Sequence, residues 1–422
     1  MAAGHGEDWV LGVRPVREVV LGSRTGLQGQ TMSVEPEELK ALACEDPRIG
    51  SVVVDLAHPG LPHRLVNILD VVEPRSPADG SPAFPGVLGS VMGGGRGEVA
   101  VLESVAVMSS GLIPGVQGGL IEMGGEGALF SPFSRLWGIV LTFTSAPGLP
   151  ARETEEAFRL ATLKIAAHMA RTATSQAPVR MESLHPPDDR PTGDLPRLAA
   201  VIPLQAQGVL RETFVFGLSA EGILPTALHP GWFDAGGVTS GNYVVPANRT
   251  PTYVYQNHPV IRALRRGHGA THRFVGVAVA CEPSSLEGKR RSARHAGYIL
   301  KSLHAHGAVV TREGGGNTDT DLMLLAEALE DAGIRAVLVA NELAGSDGTQ
   351  PSLTDFNSRA DAMISTGNND YRVRIGPADR LMGALPFEPL GPAPLEGGEA
   401  PLALFLASTS PQGFHTLRCM TR

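Results

Sequence analysis

The stretch from Arg273 to Asn369 constrains the fold most, because apolar runs alternate there with polar or amphipathic ones at the spacing of a strand–helix repeat. RFVGVAVAC is followed by SSLEGKRRSARHAGYILKSLHAHG, AVVTREGGG by NTDTDLMLLAEALEDAG, and IRAVLVANE by PSLTDFNSRA and DAMISTGNND. The strand runs are apolar throughout instead of alternating, the mark of a sheet covered on both faces. They predict a parallel α/β unit, Rossmann-like or flavodoxin-like, with its core at about residues 273–370 and PSLTDFNSRA as a helix. The 51 glycines and 33 prolines rule out a helical bundle, and with no G-X-Y period they do not make collagen.

Ahead of this unit the chain reads as a glycine-rich α+β region. The extended runs WVLGV, VREVVLG, SVVVDLA and HRLVNILDVV flank one helical stretch, EPEELKALA, opened by Ser33 and Pro36 with acids in its first turn. Between Ser76 and Thr144, short Val/Leu/Ile runs separated by glycines predict tight turns between short strands. ETEEAFRLATLKIAAHMARTA then predicts an amphipathic helix. Residues 175–197 are polar and proline-rich, as expected of a surface linker. The fold class is therefore α/β, an N-terminal α+β glycine-rich unit followed by the parallel-sheet unit.

Lys and Arg total 35 against 43 Asp and Glu, a net charge of −8, which argues against a nucleic-acid partner. Cys44, Cys281 and Cys419 are odd in number and far apart, which fits free thiols in a reducing compartment. MAAGHGEDWVLGVRPV carries acidic charge early and no long apolar stretch, so no signal peptide is expected. No run of about 18 apolar residues occurs, so no transmembrane helix is expected either, and the expected location is cytoplasmic.

Ligands of open parallel sheets sit beyond the carboxyl ends of the strands. Four polar loops follow strands here: Glu282-Pro283-Ser284, Glu313-Gly314-Gly315-Gly316-Asn317, Asn341-Glu342 with Gly345-Ser346-Asp347-Gly348, and Thr366-Gly367-Asn368-Asn369. Taken singly, such Gly, Asn and Asp residues also serve as turn formers. The run from Glu313 to Asp321 has the glycines of a phosphate cradle but neither the lysine of a P-loop nor the G-x-G-x-x-G spacing. Glu282, Glu313, Glu342 and Asp347 would repel phosphate, so the residue pattern favours a cationic amine held by Glu282, Glu313, Asn317, Glu342 and Asp347. The same four carboxylates are the oxygen ligands of an alternative, metal-assisted reading. His304 and His306 have no Cys-x-x-Cys or H-E-x-x-H beside them, so no metal site is expected there, and Cys281 is expected to be a buried, inert thiol.

An ordered set of motifs resembles a known family. Thr239-Ser240-Gly241-Asn242-Tyr243-Val244, then Pro251-Thr252-Tyr253-Val254 and Asn257-His258-Pro259-Val260-Ile261, are similar to the precursor-processing region of the glycine/sarcosine/betaine reductase component B proprotein family. Upstream, Glu73-Pro74-Arg75, Phe84-Pro85-Gly86, Glu122-Met123 with Ser131-Pro132-Phe133-Ser134, and Gln205-Ala206-Gln207-Gly208 follow the same order. Downstream, Phe274-Val275-Gly276-Val277, Glu313 to Asn317 with Asp319 and Asp321-Leu322-Met323, and Ala344-Gly345-Ser346-Asp347-Gly348 continue it. The likeness covers roughly residues 9–385, with the D-proline reductase proprotein a more distant relative.

The resemblance implies a chain divided into an α-subunit-like part, 1–242, and a β-subunit-like part, 243–422. It implies self-cleavage after an Asn, conversion of the new N-terminal Cys into a pyruvoyl group, capture of the substrate amine as a Schiff base, and attack by a partner's selenocysteine on the α-carbon. Forming pyruvoyl requires a β-leaving group at the cleavage position. Here Tyr243 follows Asn242, and Ala247 stands where the family carries a second Cys. The expectation is an unprocessed chain without pyruvoyl or other cofactor, in which the segment from Thr239 to Thr252 lines the pocket. It would act on a small amine or amino acid with a thiol- or selenol-bearing partner subunit. The rival expectation is a non-catalytic assembly or binding subunit.

Overall fold

A computed structural model describes residues 9–91, 97–184 and 193–415. In its N-terminal region, Trp9–Pro15 pairs in parallel with Gly97–Glu103 and antiparallel with Arg180–Ser183. The expected linker therefore contributes an edge strand, and its residues 185–192 lie outside the described residues. A second sheet runs in the order Gly119–Glu122, His63–Val72, Val105–Gly111, Trp137–Ser145, Ile49–Ala57, with Arg380–Gly383 from the far end of the chain added in parallel to His63–Val72. Helix α1, Ala151–Thr172, buries Phe158, Leu163, Ile165 and Met169 in a core shared with Val72, Val107 and Phe143. The short helix Pro36–Ala43 is capped by Glu35 and not opened by Ser33 as expected; the Glu35 carboxylate accepts from the amides of Glu37 and Glu38.

The predicted parallel sheet is present and larger than expected. Its strands are β1, Arg197–Ala206; β2, Arg273–Pro283; β3, Gly307–Val310; β4, Arg335–Glu342; and β5, Met363–Asn368. These five pair in parallel in the order β2-β1-β3-β4-β5, the flavodoxin-like arrangement, and Thr226–Leu228 adds an antiparallel strand on the outer side of β2. The expected core began at Arg273, yet the central strand β1 comes from upstream of residue 242.

Successive residues of β1 point to opposite faces, and both faces are apolar. Ala199 and Val201 meet α2, Leu286–Ser302, and α3, Asn317–Asp331, through Ala293, Ala296, Leu322 and Leu325. Ala200, Ile202 and Leu204 face Val215, Phe233, Tyr255 and Ile261 of the long β1–β2 connection. This two-sided cover explains why the strands read as unbroken apolar runs.

PSLTDFNSRA is not a helix; residues 343–362 form turns and coil. Its polar side chains bond the local backbone instead: Asp355 accepts from the amide of Phe356 at 2.8 Å and Asn357 from that of Arg359 at 2.9 Å, an arrangement that competes with helical bonding. Among the described residues no helix is long and apolar enough to cross a membrane.

The C-terminal segment is clamped to the N-terminal sheet by Arg64, which is fully buried, pairs with Glu122, and donates to the carbonyls of Glu396 at 2.9 Å and Gly376 at 2.7 Å. Arg64→Met would strand the Glu122 carboxylate and these carbonyls in the interior. A loss of about 3–5 kcal/mol is expected, measured as a lower midpoint in urea unfolding.

Candidate functional site

In this topology the crevice opens between β1 and β3, whose onward connections leave in opposite directions. Gln205 ends β1 and Glu313 follows β3. Over them folds a two-stranded ribbon, Arg211–Val215 paired antiparallel with Val238–Asn242. Thr213 and Asn242 project from one face of the ribbon toward the crevice.

Glu313 is the hub. One carboxylate oxygen accepts from the Gln205 amide and the Thr213 hydroxyl, both at 2.7 Å, and the other from the Tyr255 hydroxyl. The Asn242 side-chain amide donates to Gln205 Oε1 at 2.8 Å, tying the Asn242–Tyr243 junction to the end of β1. Gly314 turns away at φ +70°, and a Cβ there would lie 2.9 Å from Gln205 Oε1, so the glycine after Glu313 answers both a backbone and a packing need.

Glu282 lies beside it at the end of β2 and accepts the Glu313 amide at 3.2 Å, while its second oxygen has no partner among the described residues. Burial first, then the charges of Asp321 and Glu313, push its pKa well above the usual carboxylate range. Burial also raises Glu313 and lifts Asp321 to about 7 despite the buried ion pair with Lys289. The neighbouring Cys281 is buried and its thiol is pushed up to about 12, so it is inert as expected.

The other expected rim residues lie apart. Asn317 is exposed at the first turn of α3, and Asp347 is exposed and closes its own turn by accepting from Thr349. Glu342 is half-buried and engaged by Ser352 and Ser365. The loops follow successive strands as expected, but only Glu282 and Glu313 meet. Among the described residues no group of three or more His, Cys, Asp or Glu is arranged to hold a metal, so the four-carboxylate metal reading has no geometry to rest on.

Beyond the junction stands a second polar layer. Tyr243 donates its amide to the Leu210 carbonyl at 2.9 Å, its phenol oxygen lies 3.5 Å from Glu155, and its ring sits 5.1 Å from the Arg249 guanidinium. Arg249 is fully buried and donates to the Val244 carbonyl at 2.9 Å. Asp70 accepts from the Thr252 amide at 2.7 Å and hydroxyl at 2.6 Å, and that hydroxyl accepts from the Ser240 amide. Asp70, Glu155 and Arg249 were missed in the sequence. The available signal was a lone acid inside HRLVNILDVV, since a charge in an otherwise apolar strand is rarely idle.

The sequence profile of the glycine/sarcosine/betaine reductase component B subunits matches residues 10–392. The chain is 32% identical over 373 residues to the glycine reductase complex component B subunits alpha and beta of Acetoanaerobium sticklandii, covering 87% of each. Over 414 residues it is 32% identical to the sarcosine reductase complex component B subunit alpha of Peptoclostridium acidaminophilum, covering 95% of this chain and 97% of that one. To the betaine reductase complex component B subunit alpha of the same organism it is 32% identical over 397 residues, covering 91% and 89%. No solved structure matches the chain.

Burial raises the Asp70 carboxyl from its ordinary 3.8 to about 6. A raised folded-state value means a contribution to stability fully present below pH 3.8 and lost as pH rises through about 6. Asp70→Asn keeps the shape and removes the titration. The stability of wild type relative to Asp70→Asn should therefore fall by about 2 kcal/mol between pH 4 and pH 7, read from urea unfolding at stepped pH.

Proposed function

The chain belongs to the glycine/sarcosine/betaine reductase component B family, and from that premise we propose that it is an unprocessed subunit of a component B-like complex. It acts on a small amine or amino acid whose C–N or related C–heteroatom bond is cleaved reductively, with the nucleophile supplied as a thiol or selenol by a partner subunit.

Tyr243 carries this reading. Making a pyruvoyl group expels the β-substituent of the residue after the cleaved bond. The β-carbon of tyrosine bears an aryl carbon, which does not leave, and Ala247, fully buried, brings no sulfur in its place. The residues present do not fit the pyruvoyl group, and no step is assigned to one. The surroundings of the junction support an intact chain: Asn242 pairs across the ribbon with Arg211, and Tyr243 is fastened by Leu210 and Arg249.

Without an electrophilic carbonyl, this chain's own part is to bind the substrate and manage protons. When the partner's thiolate attacks the α-carbon, a C–S bond forms, the C–N bond breaks, and the amine leaves with the electron pair and takes up a proton. Burial raises the pKa of Glu282 well above the usual carboxylate range, and its second oxygen has no partner among the described residues, which suits Glu282 to hold that proton.

The purified chain should run as one polypeptide of 44.2 kDa and give no adduct with phenylhydrazine. Intact mass spectrometry showing two fragments split between Asn242 and Tyr243, with a reactive carbonyl on the second, would overturn the proposal.

A further inference from the structure

The parallel sheet has a second charged recess, at the end away from the crevice. β1 starts at Arg197 and β2 at Arg273, so the amino ends of both strands lie roughly 30 Å from Gln205 and Glu282. There Arg197, Arg273, Val275, Leu303 and His304, together with His268, line a cavity of about 570 Å³. Among the described residues no Asp or Glu lines it, although the chain carries a net charge of −8. The described acid nearest to Arg197 along the chain, Asp194, is exposed and outside the lining.

The two arginines are register partners on adjacent parallel strands, which sets their backbones about 4.8 Å apart and their side chains on one face. Like charges opposed in this way repel. The turn that ends α2 accounts for one nitrogen of the pair: Arg197 Nε donates to the His304 carbonyl, and the Arg197 amide donates to His306 Nδ1 at 3.2 Å. That leaves the rest of the Arg197 guanidinium, and all of Arg273, without an anion among the described residues. His304, at φ +52°, takes the left-handed position just past the helix end, where glycine is the common choice, and brings an imidazole to the cavity instead. His268 is 6% exposed, and its Nδ1 accepts from the Phe274 amide at 3.1 Å, which leaves the ring proton on Nε2.

We infer that this recess binds the phosphate group of a small organic phosphate ester, a ligand distinct from the substrate of the reaction proposed above. A phosphate dianion balances two guanidiniums, and its three terminal oxygens can accept from both arginine forks, where a carboxylate brings two oxygens and one charge. Val275 and Leu303, both partly buried, give the organic body an apolar wall. The volume lies within the range of about 300–1,000 Å³ that holds small organic ligands. Arg197 precedes Asn242 and Arg273 follows it, so the bound ester bridges strands from both parts of the chain and stabilises their pairing.

Calorimetric titration and thermal unfolding of the full chain, in chloride buffer of constant ionic strength, test this with phenyl phosphate, inorganic phosphate and benzoate. The variants are Arg273→Gln and Arg197→Gln, with Arg294→Gln, on the exposed face of α2 and outside this cavity, as the control. Phenyl phosphate should bind and raise the unfolding temperature, and inorganic phosphate and benzoate should bind more weakly. Its affinity should fall by about tenfold or more in Arg273→Gln and stay unchanged in Arg294→Gln. Arg273 is exposed and its side chain has no bond among the described residues, so its variant reads binding even where Arg197→Gln unfolds more easily. Affinity that ignores Arg273→Gln, or falls equally in Arg294→Gln, is diffuse charge attraction and overturns the site. Benzoate or inorganic phosphate bound as tightly as phenyl phosphate overturns the ester, and absence of phenyl phosphate binding overturns the proposal entirely.

Discussion

Glu313 is a carboxylate without exposed surface that accepts hydrogen bonds from three segments far apart in sequence. Gln205 belongs to the central strand of the sheet, Thr213 to the ribbon and Tyr255 to the short helix Thr252–Gln256. Burying such a group is costly unless its oxygens are satisfied, so the three donors and the carboxylate hold one another in place. That fastening seats the long β1–β2 connection on the open end of the sheet, and with it the Asn242–Tyr243 junction.

The ribbon carrying the junction separates two polar environments. On one side Glu282 and Glu313 are dry, and burial raises the pKa of both above the ordinary carboxylate range. On the other, Glu155, Arg159 and Glu212 surround a small cavity. A two-stranded ribbon is enough to divide them because residues alternate between its faces, Thr213 and Asn242 inward, Glu212 and Gly241 outward. Glu212 and Glu313 thus stand on opposite sides of one layer of backbone.

Much of this was legible in the sequence. The strands and helices from Arg273 to Glu342 follow their apolar periodicity, and Glu282 and Glu313 could be placed together because both end parallel strands. The position of β1 at the centre of the sheet could not be read, since strand order is decided by tertiary packing and leaves no local mark on LAAVIPLQ. Asn317, Glu342 and Asp347 failed to join the site for a local reason: turn bonding to Thr349, Ser352 and Ser365 points the two acids elsewhere, and Asn317 faces solvent at a helix start. The cavity on the far side of the ribbon was invisible because its residues, Glu155, Arg159 and Glu212, look like ordinary members of an amphipathic helix and a strand until the two are packed together.

The sheet order carries one more consequence. Strand β1 precedes residue 242 while β2 to β5 follow it, and Arg380–Gly383 from the far end of the chain is built into the sheet around His63–Val72. Each part of the chain therefore completes a sheet that the other begins. Were the backbone opened at Asn242, neither piece would own a finished core, and the two would have to fold as complementing fragments, remaining one cooperative body with a nick in it and not two subunits that meet after folding.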